Sequence, residues 1–144
     1  MAEITIRELS LDDVPRMVEI YKGLTGDEID EDTMSEKIEY GQCLTALGAE
    51  ADGMLVGFII GETNQGTFGE DETVGWINMV GLDKKYRKMG IGTKLGKELL
   101  ARFQGLGIKK IRTIVEDRDY GLLNYFRSLG LEKVPWTVLE LNFT

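Results

Sequence analysis

The sequence predicts one α/β (α+β) domain over residues 1–144, with a mixed, mostly antiparallel sheet flanked by about four helices. Three observations carry this. A chain of 144 residues suits one hydrophobic core and is too short for two nucleotide-binding halves. Its apolar spacing switches repeatedly between a period of two and a helical period. The predicted order of elements is β, α, α, three antiparallel strands, α, β, α, β, which places helices on both faces of a sheet.

Taking the elements in order, Ile4 and Ile6 alternate with polar neighbours as a strand does. Ser10 and Asp13 have the spacing of a capping box, so a helix begins there, with Val14, Met17, Val18 and Tyr21 on one face. Pro15 lies in the first turn, where its missing N–H does no harm, and Gly23 and Gly26 close the segment. A second, short and very acidic helix covers Asp32 to Tyr40. Cys43 to Ala51 and Met54 to Gly61 form strands joined by Asp52-Gly53, a pair suited to a tight hairpin. Thr63 to Glu72 lacks periodicity and is expected as a loop, after which strand character returns from Thr73 to Leu82.

Beyond a basic turn, Ile91, Leu95, Leu99 and Phe103 recur every fourth position, describing an amphipathic helix ended by Gly105 and Gly107. Lys110 to Val115 is the next strand. Leu122, Phe126 and Leu129 mark a helix stopped by Gly130, and Thr137, Leu139, Leu141 and Phe143 alternate as a terminal strand does.

The net charge of −8 argues against general affinity for nucleic acid, which depends on neutralising phosphates. No stretch has the unbroken apolar length of a membrane span, and MAEITIREL does not read as a secretory signal, so a cytoplasmic protein is expected. Cys43 is the only cysteine and histidine is absent, which leaves no zinc cluster and no histidine-based triad; Cys43 is expected as a small strand residue. The charges are segregated. Lys84, Lys85, Arg87 and Lys88 share one turn, whereas Asp27, Glu28, Asp30, Glu31, Asp32, Glu36 and Glu39 dominate another stretch.

The basic turn is the segment suited to chemistry. Gly90 and Gly92 open a helix whose first amides have no internal acceptor and whose dipole adds positive charge, so a pyrophosphate fits there. Arg87 and Lys88 offer charge-assisted hydrogen bonds, and the glycines lack the Cβ atoms that keep phosphate oxygens at a distance. Gly90, Gly92 and Gly96, with Glu116 beyond, superficially suggest a dinucleotide fingerprint. However, DKKYRKM separates Leu82 from Gly90, where that fingerprint requires its first glycine directly after the strand. No Gly-Lys-Ser or Gly-Lys-Thr follows, which excludes a Walker loop.

With Arg87, Gly90 and Gly92 in the order Arg, two residues, Gly, one residue, Gly, the sequence resembles the GNAT superfamily of N-acetyltransferases. YFRSLGLE, from Tyr125 to Glu132, is similar to that family's second conserved segment. The resemblance extends over the whole order of elements and is strongest from Trp76 to Leu131. It implies a V-shaped opening beside Val80, Gly81 and Leu82, where the backbone of Val80 and Leu82 bonds the pantetheine arm. It also implies that Arg87, Lys88, Met89, Gly90, Ile91, Gly92 and Thr93 hold the pyrophosphate, with Asn124 as a further CoA contact. It further implies acetyl-CoA as the co-substrate and direct passage of the acetyl group to a primary amine, which the acidic stretch makes one of a cationic small molecule or a protein, and no metal is expected. Gly75 and Gly81 are expected to loosen their strand or mark a bulge.

The sequence departs from the family where a tyrosine often protonates the leaving thiolate. That position is Phe126, read as core. Tyr125 stands beside it as the candidate acid, with solvent as the alternative, although adjacent helix residues point roughly 100 degrees apart. Asp119 occupies a place where the family often has asparagine. Glu72, Asp71 or a water chain are the candidate bases. These departures keep a second reading open, a non-catalytic acyl-CoA-binding sensor. The resemblance also leaves room for a homodimer through the apolar terminal strand, and the acidic stretch corresponds to the region that covers the acceptor site in the family.

Overall fold

The computed structural model describes residues 3–39, 44–65 and 72–143. Cys43 and Asp71 lie outside them. A five-stranded sheet runs in the order β1 (Ile4–Glu8), β2 (Leu44–Ala51), β3 (Met54–Gln65), β4 (Thr73–Leu82), β5 (Ile111–Thr113). The first four strands pair antiparallel, and only β4 with β5 is parallel. The helices are α1 (Val14–Thr25), α2 (Glu31–Glu39), α3 (Ile91–Gly105) and α4 (Tyr120–Ser128). The mixed, mostly antiparallel sheet with four helices is the expected fold.

Strand alternation, offset once where Val56 is an extra residue of β3 against β2, divides the core into two layers. Leu47, Ala49, Val56, Ile59 and Ile77 face α3 and α4, where Ile91, Leu95, Leu99, Phe103 and Phe126 meet them. Leu55, Phe58 and Ile60 face the other way, onto Val14, Met17 and Ile20 of α1 and Met34 of α2. The every-fourth-residue stripe of α3 is thus buried along its length. Asp52 and Gly53 take φ of 51° and 78°, the two left-handed residues a type I′ hairpin needs.

The capping box forms around a larger cluster. The Ser10 N–H donates to the Asp13 carboxylate at 2.9 Å, and the Arg7 guanidinium donates to both Asp13 oxygens at 2.8 Å. Arg7 holds the Asp13 carboxyl below its ordinary value near 3.8, and the Ser10 backbone bond adds to this against the opposing effect of burial. A carboxyl lowered by folding contributes stability above its ordinary pKa and loses it as pH falls through the lower folded-state value. Asp13→Ala is therefore expected to cost about 2 kcal/mol at pH 7, the scale of hydrogen bonds to a charged group. In urea unfolding, the difference from the parent should shrink below about pH 4. An equal difference at pH 7 and pH 3 would show that the pair does not act through its charge.

Three expectations are corrected. Thr63, Asn64 and Gln65, expected at the start of a loop, belong to β3 and pair with Gly75, Val74 and Thr73, while residues 66–71 of that expected loop lie outside the described residues. Asn64 helps, its side-chain oxygen accepting from the Trp76 indole N–H at 3.1 Å. The strand expected over Lys110 to Val115 is only Ile111–Thr113, since β4 bends away beyond that point. The terminal strand expected from Thr137 to Phe143 is not formed: these residues carry no helix or strand, and Leu139 and Phe143 are 89% and 92% exposed. Alternation supplies a face, but a strand also needs a neighbour, and among the described residues no strand pairs with this segment.

Candidate active site

The site begins where β4 leaves β5. Pairing between them covers Gly75, Trp76 and Ile77 alone, and the Thr113 hydroxyl donates to the Ile77 carbonyl at 2.9 Å beside the last pair. Beyond Ile77, β4 runs on through Val80 and Leu82 with β3 on one side only. The register against β3 shifts at this point: Ile60 faces Met79 and Gly61 faces Ile77, so Asn78 is an extra residue in β4. A bulge bends and twists its strand, which accounts for the divergence. The bulge is therefore at Asn78, not at Gly75 or Gly81. Those glycines answer packing instead, since a Cβ on Gly75 would lie 3.0 Å from the Phe103 ring and one on Gly81 2.8 Å from the Phe58 ring.

The open end of β4 leads straight into the basic turn. Asp83 accepts from the Lys85 N–H at 2.9 Å and capped residues Lys84–Tyr86 form one 3-10 turn. Arg87 is extended, Lys88 takes φ of 65°, and Gly90 caps α3 at φ 77°. A Cβ on Gly90 would meet nothing within 4 Å, so its backbone faces open space. Arg87, Lys88, Met89 and Thr93 are exposed, while Ile91 is buried and anchors the first turn of α3 in the core. The α3 N-terminus, of a 15-residue helix with no side-chain cap, thus opens to solvent among basic residues.

Arg16 of α1 ties this end of β4 down. Its Nε donates to the Leu55 carbonyl at 2.8 Å and its Nη2 pairs with Asp83 at 2.5 Å. Burial opposes ionisation of Asp83, but the Lys85 backbone bond and the Arg16 guanidinium outweigh it and lower the carboxyl's pKa. Sequence reasoning missed this pair. Its members stand 67 positions apart, and each alone resembles an ordinary surface charge.

Helix α4 packs over the first turns of α3. A Cβ on Gly96 would come within 2.5 Å of Leu129 and 2.8 Å of the Tyr125 hydroxyl oxygen, so this glycine is a packing notch and not part of a phosphate fingerprint. The Tyr125 hydroxyl donates to the Gly92 carbonyl at 2.7 Å, and burial pushes its pKa up to about 12. The hydroxyl of Tyr125, expected as the acid, thus has its proton engaged by the backbone of the first turn of α3. Phe126 is buried with the α3 core, as read from sequence, and meets Tyr125 edge-on at 5.1 Å between ring centres. Asn124 is exposed on α4. Asp119 caps that helix by accepting from the Leu122 N–H at 3.1 Å, a structural task that explains a carboxylate there.

The candidate base Glu72 lies before the start of β4, some 30 Å along the strand from Leu82 at about 3.3 Å per residue, and is paired with Lys110 at 2.9 Å. Among the described residues no group of three or more His, Cys, Asp or Glu side chains is arranged to hold a metal. None of their helices is long and apolar enough to cross a membrane.

An opened parallel strand pair beside a glycine-capped helix is the geometry that the sequence resemblance implied, and residues 14–131 match the acetyltransferase (GNAT) family. The chain belongs to that family. A mycothiol acetyltransferase of Thermobispora bispora is 30% identical over 90 residues, which cover 62% of this chain and 30% of that protein. The matched segment is thus under a third of the length of this curated relative. Among solved structures, a ribosomal-protein-alanine N-acetyltransferase from Brucella melitensis biovar Abortus 2308 superposes with a TM-score of 0.80 at 18% identity, covering 97% of this chain and 99% of that one. An aminoglycoside N-acetyltransferase in complex with CoA gives 0.84 at 14% identity, with 99% and 96% covered. A transcriptional regulator from Bacillus halodurans C-125 gives 0.82 at 18% identity, with 98% and 100% covered. At these identities the structures show a shared fold. Within the GNAT fold, the positions carrying the family motif, Arg87, Gly90 and Gly92, stand on the exposed turn between β4 and α3.

Proposed function

We propose that this GNAT chain is an N-acyltransferase that moves the acetyl group of acetyl-CoA directly to a primary amine on a cationic acceptor. The single observation that carries the reading is the adjacency of β4, unpaired toward β5 beyond Ile77, to the glycine-capped start of α3. The free side of β4 at Val80 and Leu82 suits the amide-bearing pantetheine arm, which can add like a strand. The amides and cations from Arg87 to Thr93 suit the pyrophosphate. Asn124, exposed on α4, completes the CoA contacts. The cytoplasm is the expected setting for such a donor.

In the transfer, the amine nitrogen, once deprotonated, attacks the thioester carbonyl carbon. A C–N bond forms, the C–S bond breaks, and the departing CoA thiolate takes up a proton. That proton comes from solvent in this reading. A thiol's ordinary pKa near 8.5 makes the thiolate a tolerable leaving group near neutrality, and burial, which pushes the Tyr125 phenol up to about 12, makes that phenol a poor donor to it. Water also serves as the route for the ammonium proton, because Glu72 is occupied by Lys110.

The acceptor's charge follows from α2 and its approach. Asp27, Glu28, Asp30, Glu31, Asp32, Glu36 and Glu39 are all exposed, while Met34 anchors the helix on α1. Such a surface attracts and steers cations, an effect that falls as salt shortens the screening length to about 10 Å at 0.1 M. A thiol-release assay with acetyl-CoA and a panel of amines tests the proposal. Polyamines and lysine-bearing peptides should be the best acceptors, with kcat/KM falling several-fold between low and physiological salt. Preference for carboxylate-rich acceptors would overturn the charge argument. The displaced hydroxyl of Tyr125 and the buried ring of Phe126 favour a second reading, an acyl-CoA-binding sensor, and CoA binding without turnover on any amine would select it.

A further inference from the structure

We infer that Arg16 of α1 is a positioning residue for CoA: through Asp83 its guanidinium fixes the open end of β4 and so presents the amides from Arg87 to Thr93 in the arrangement a pyrophosphate needs. The inference rests on the proposed use of that turn as the CoA phosphate site and adds to it a residue from outside the turn. The need for one follows from the sheet. Among the described residues no strand pairs with β4 beyond Ile77 on its β5 side, so its last residues depend on β3. That ladder ends at the same place. Gly57 faces Leu82, the Asp83 N–H donates to the Val56 carbonyl at 2.8 Å, and the chain then leaves β3 for the 3-10 turn Lys84–Tyr86. A turn that binds through its backbone gains affinity when those amides are fixed before the ligand arrives.

Arg16 continues the ladder where the backbone cannot. Its Nε donates to the carbonyl of Leu55, the β3 residue just before Val56, at 2.8 Å, and its Nη2 pairs with Asp83 Oδ2. Its Nη1 reaches Glu19 on the same helix at 3.1 Å. Three nitrogens of one rigid plane thus hold β3, β4 and α1 in register, a task for which the guanidinium fork is suited and a single ammonium is not. The Arg16 and Asp83 side chains are 23% and 17% exposed, so solvent screens this pair less than a surface one. Asp83 then passes the constraint on. Its other oxygen accepts from the Lys85 N–H at 2.9 Å, and its carbonyl accepts from the Tyr86 N–H at 2.9 Å. Releasing Arg16 frees that carboxylate to rotate away from Lys85. The fold does not hang on the pair, because Val14, Met17 and Ile20 hold α1 on the sheet by burial.

Titration followed by NMR, with CoA and with pantetheine at millimolar concentration, tests this; pantetheine has the amide-bearing arm and no phosphate. Arg16→Met keeps the aliphatic stem and is expected to weaken CoA binding roughly tenfold, the effect of about one charge-assisted hydrogen bond, with pantetheine binding unchanged. Asp83→Asn keeps an oxygen for the Lys85 N–H and should show the same loss, which covers failure of Arg16→Met to fold. The double variant should lose no more than either single one, because both remove one shared interaction. Asp13→Ala breaks the other Arg–Asp pair beside α1, Arg7–Asp13, and should bind CoA as the parent does. CoA affinity retained in either folded variant would overturn the proposal. So would an equal loss for CoA and pantetheine, losses that add in the double variant, or a matching loss in Asp13→Ala, each the mark of a merely structural role. A parent that binds no CoA would remove the proposed function and this role together, whereas CoA binding that ignores Arg16 would remove this role alone.

Discussion

Gly92→Asp is expected to weaken CoA binding by roughly a hundredfold or more, with the protein still folded. Gly92 is the second residue of α3, behind the Gly90 cap. A carboxylate there faces the same amides and the same positive end of the helix dipole that a phosphate would use. It therefore competes with the ligand by charge, while favouring the helix itself by a few tenths of a kcal/mol or more. Losing two or so charge-assisted hydrogen bonds, each about 1.5–3 kcal/mol, sets the scale. The new Cβ would stand 3.3 Å from Tyr125 Cε1, so a small steric effect accompanies the electrostatic one. Gly92→Ala shares that Cβ and lacks the charge. Calorimetry of CoA binding to the two variants and the parent separates the effects. Parent-like affinity in Gly92→Asp, with an unchanged melting profile, would remove this turn as the phosphate site.

Tyr125→Phe is the second large prediction, and the structure gives it a direction. The hydroxyl donates to the Gly92 carbonyl at 2.7 Å, so its removal loosens the first turn of α3. Losing one such bond is worth about 1 kcal/mol, so CoA affinity should fall about fivefold. Turnover at saturating CoA should change little. A general acid predicts the reverse pattern, a fall in kcat of roughly a hundredfold or more with CoA binding retained. The converse variant, Phe126→Tyr, puts a hydroxyl among buried apolar groups at a side chain only 5% exposed. It is expected to lower stability by about 1–3 kcal/mol through an unsatisfied polar group. A substantial gain in rate in that variant, with folding intact, would show that the site is a weakened form of a tyrosine mechanism.

Much of this was legible in the sequence because it is local. The every-fourth-residue stripe of α3, the Asp52-Gly53 turn and the Ser10–Asp13 box each involve residues within one or two turns of chain, and each formed as read. Arg87, Gly90 and Gly92 belong to the same class. Their spacing determines a glycine-capped helix start among cations, and that start is exposed. Phe126 was legible as core because helical periodicity places it on the stripe with Leu122 and Leu129.

Tertiary structure decided what depends on contacts between distant segments. The end of β5 at Thr113 and the extra residue Asn78 open the sheet, yet neither is visible in a strand pattern, since a bulge is a matter of register against β3. The Arg16–Asp83 pair joins positions remote in the chain. The direction of the Tyr125 hydroxyl was set by how α4 lies on α3, through the notch at Gly96, and periodicity cannot aim a phenol. The tail shows the division most plainly. Alternation determined which face of residues 137–143 is apolar, but a strand exists only through hydrogen bonds to another strand, and those come from whatever stands beside it.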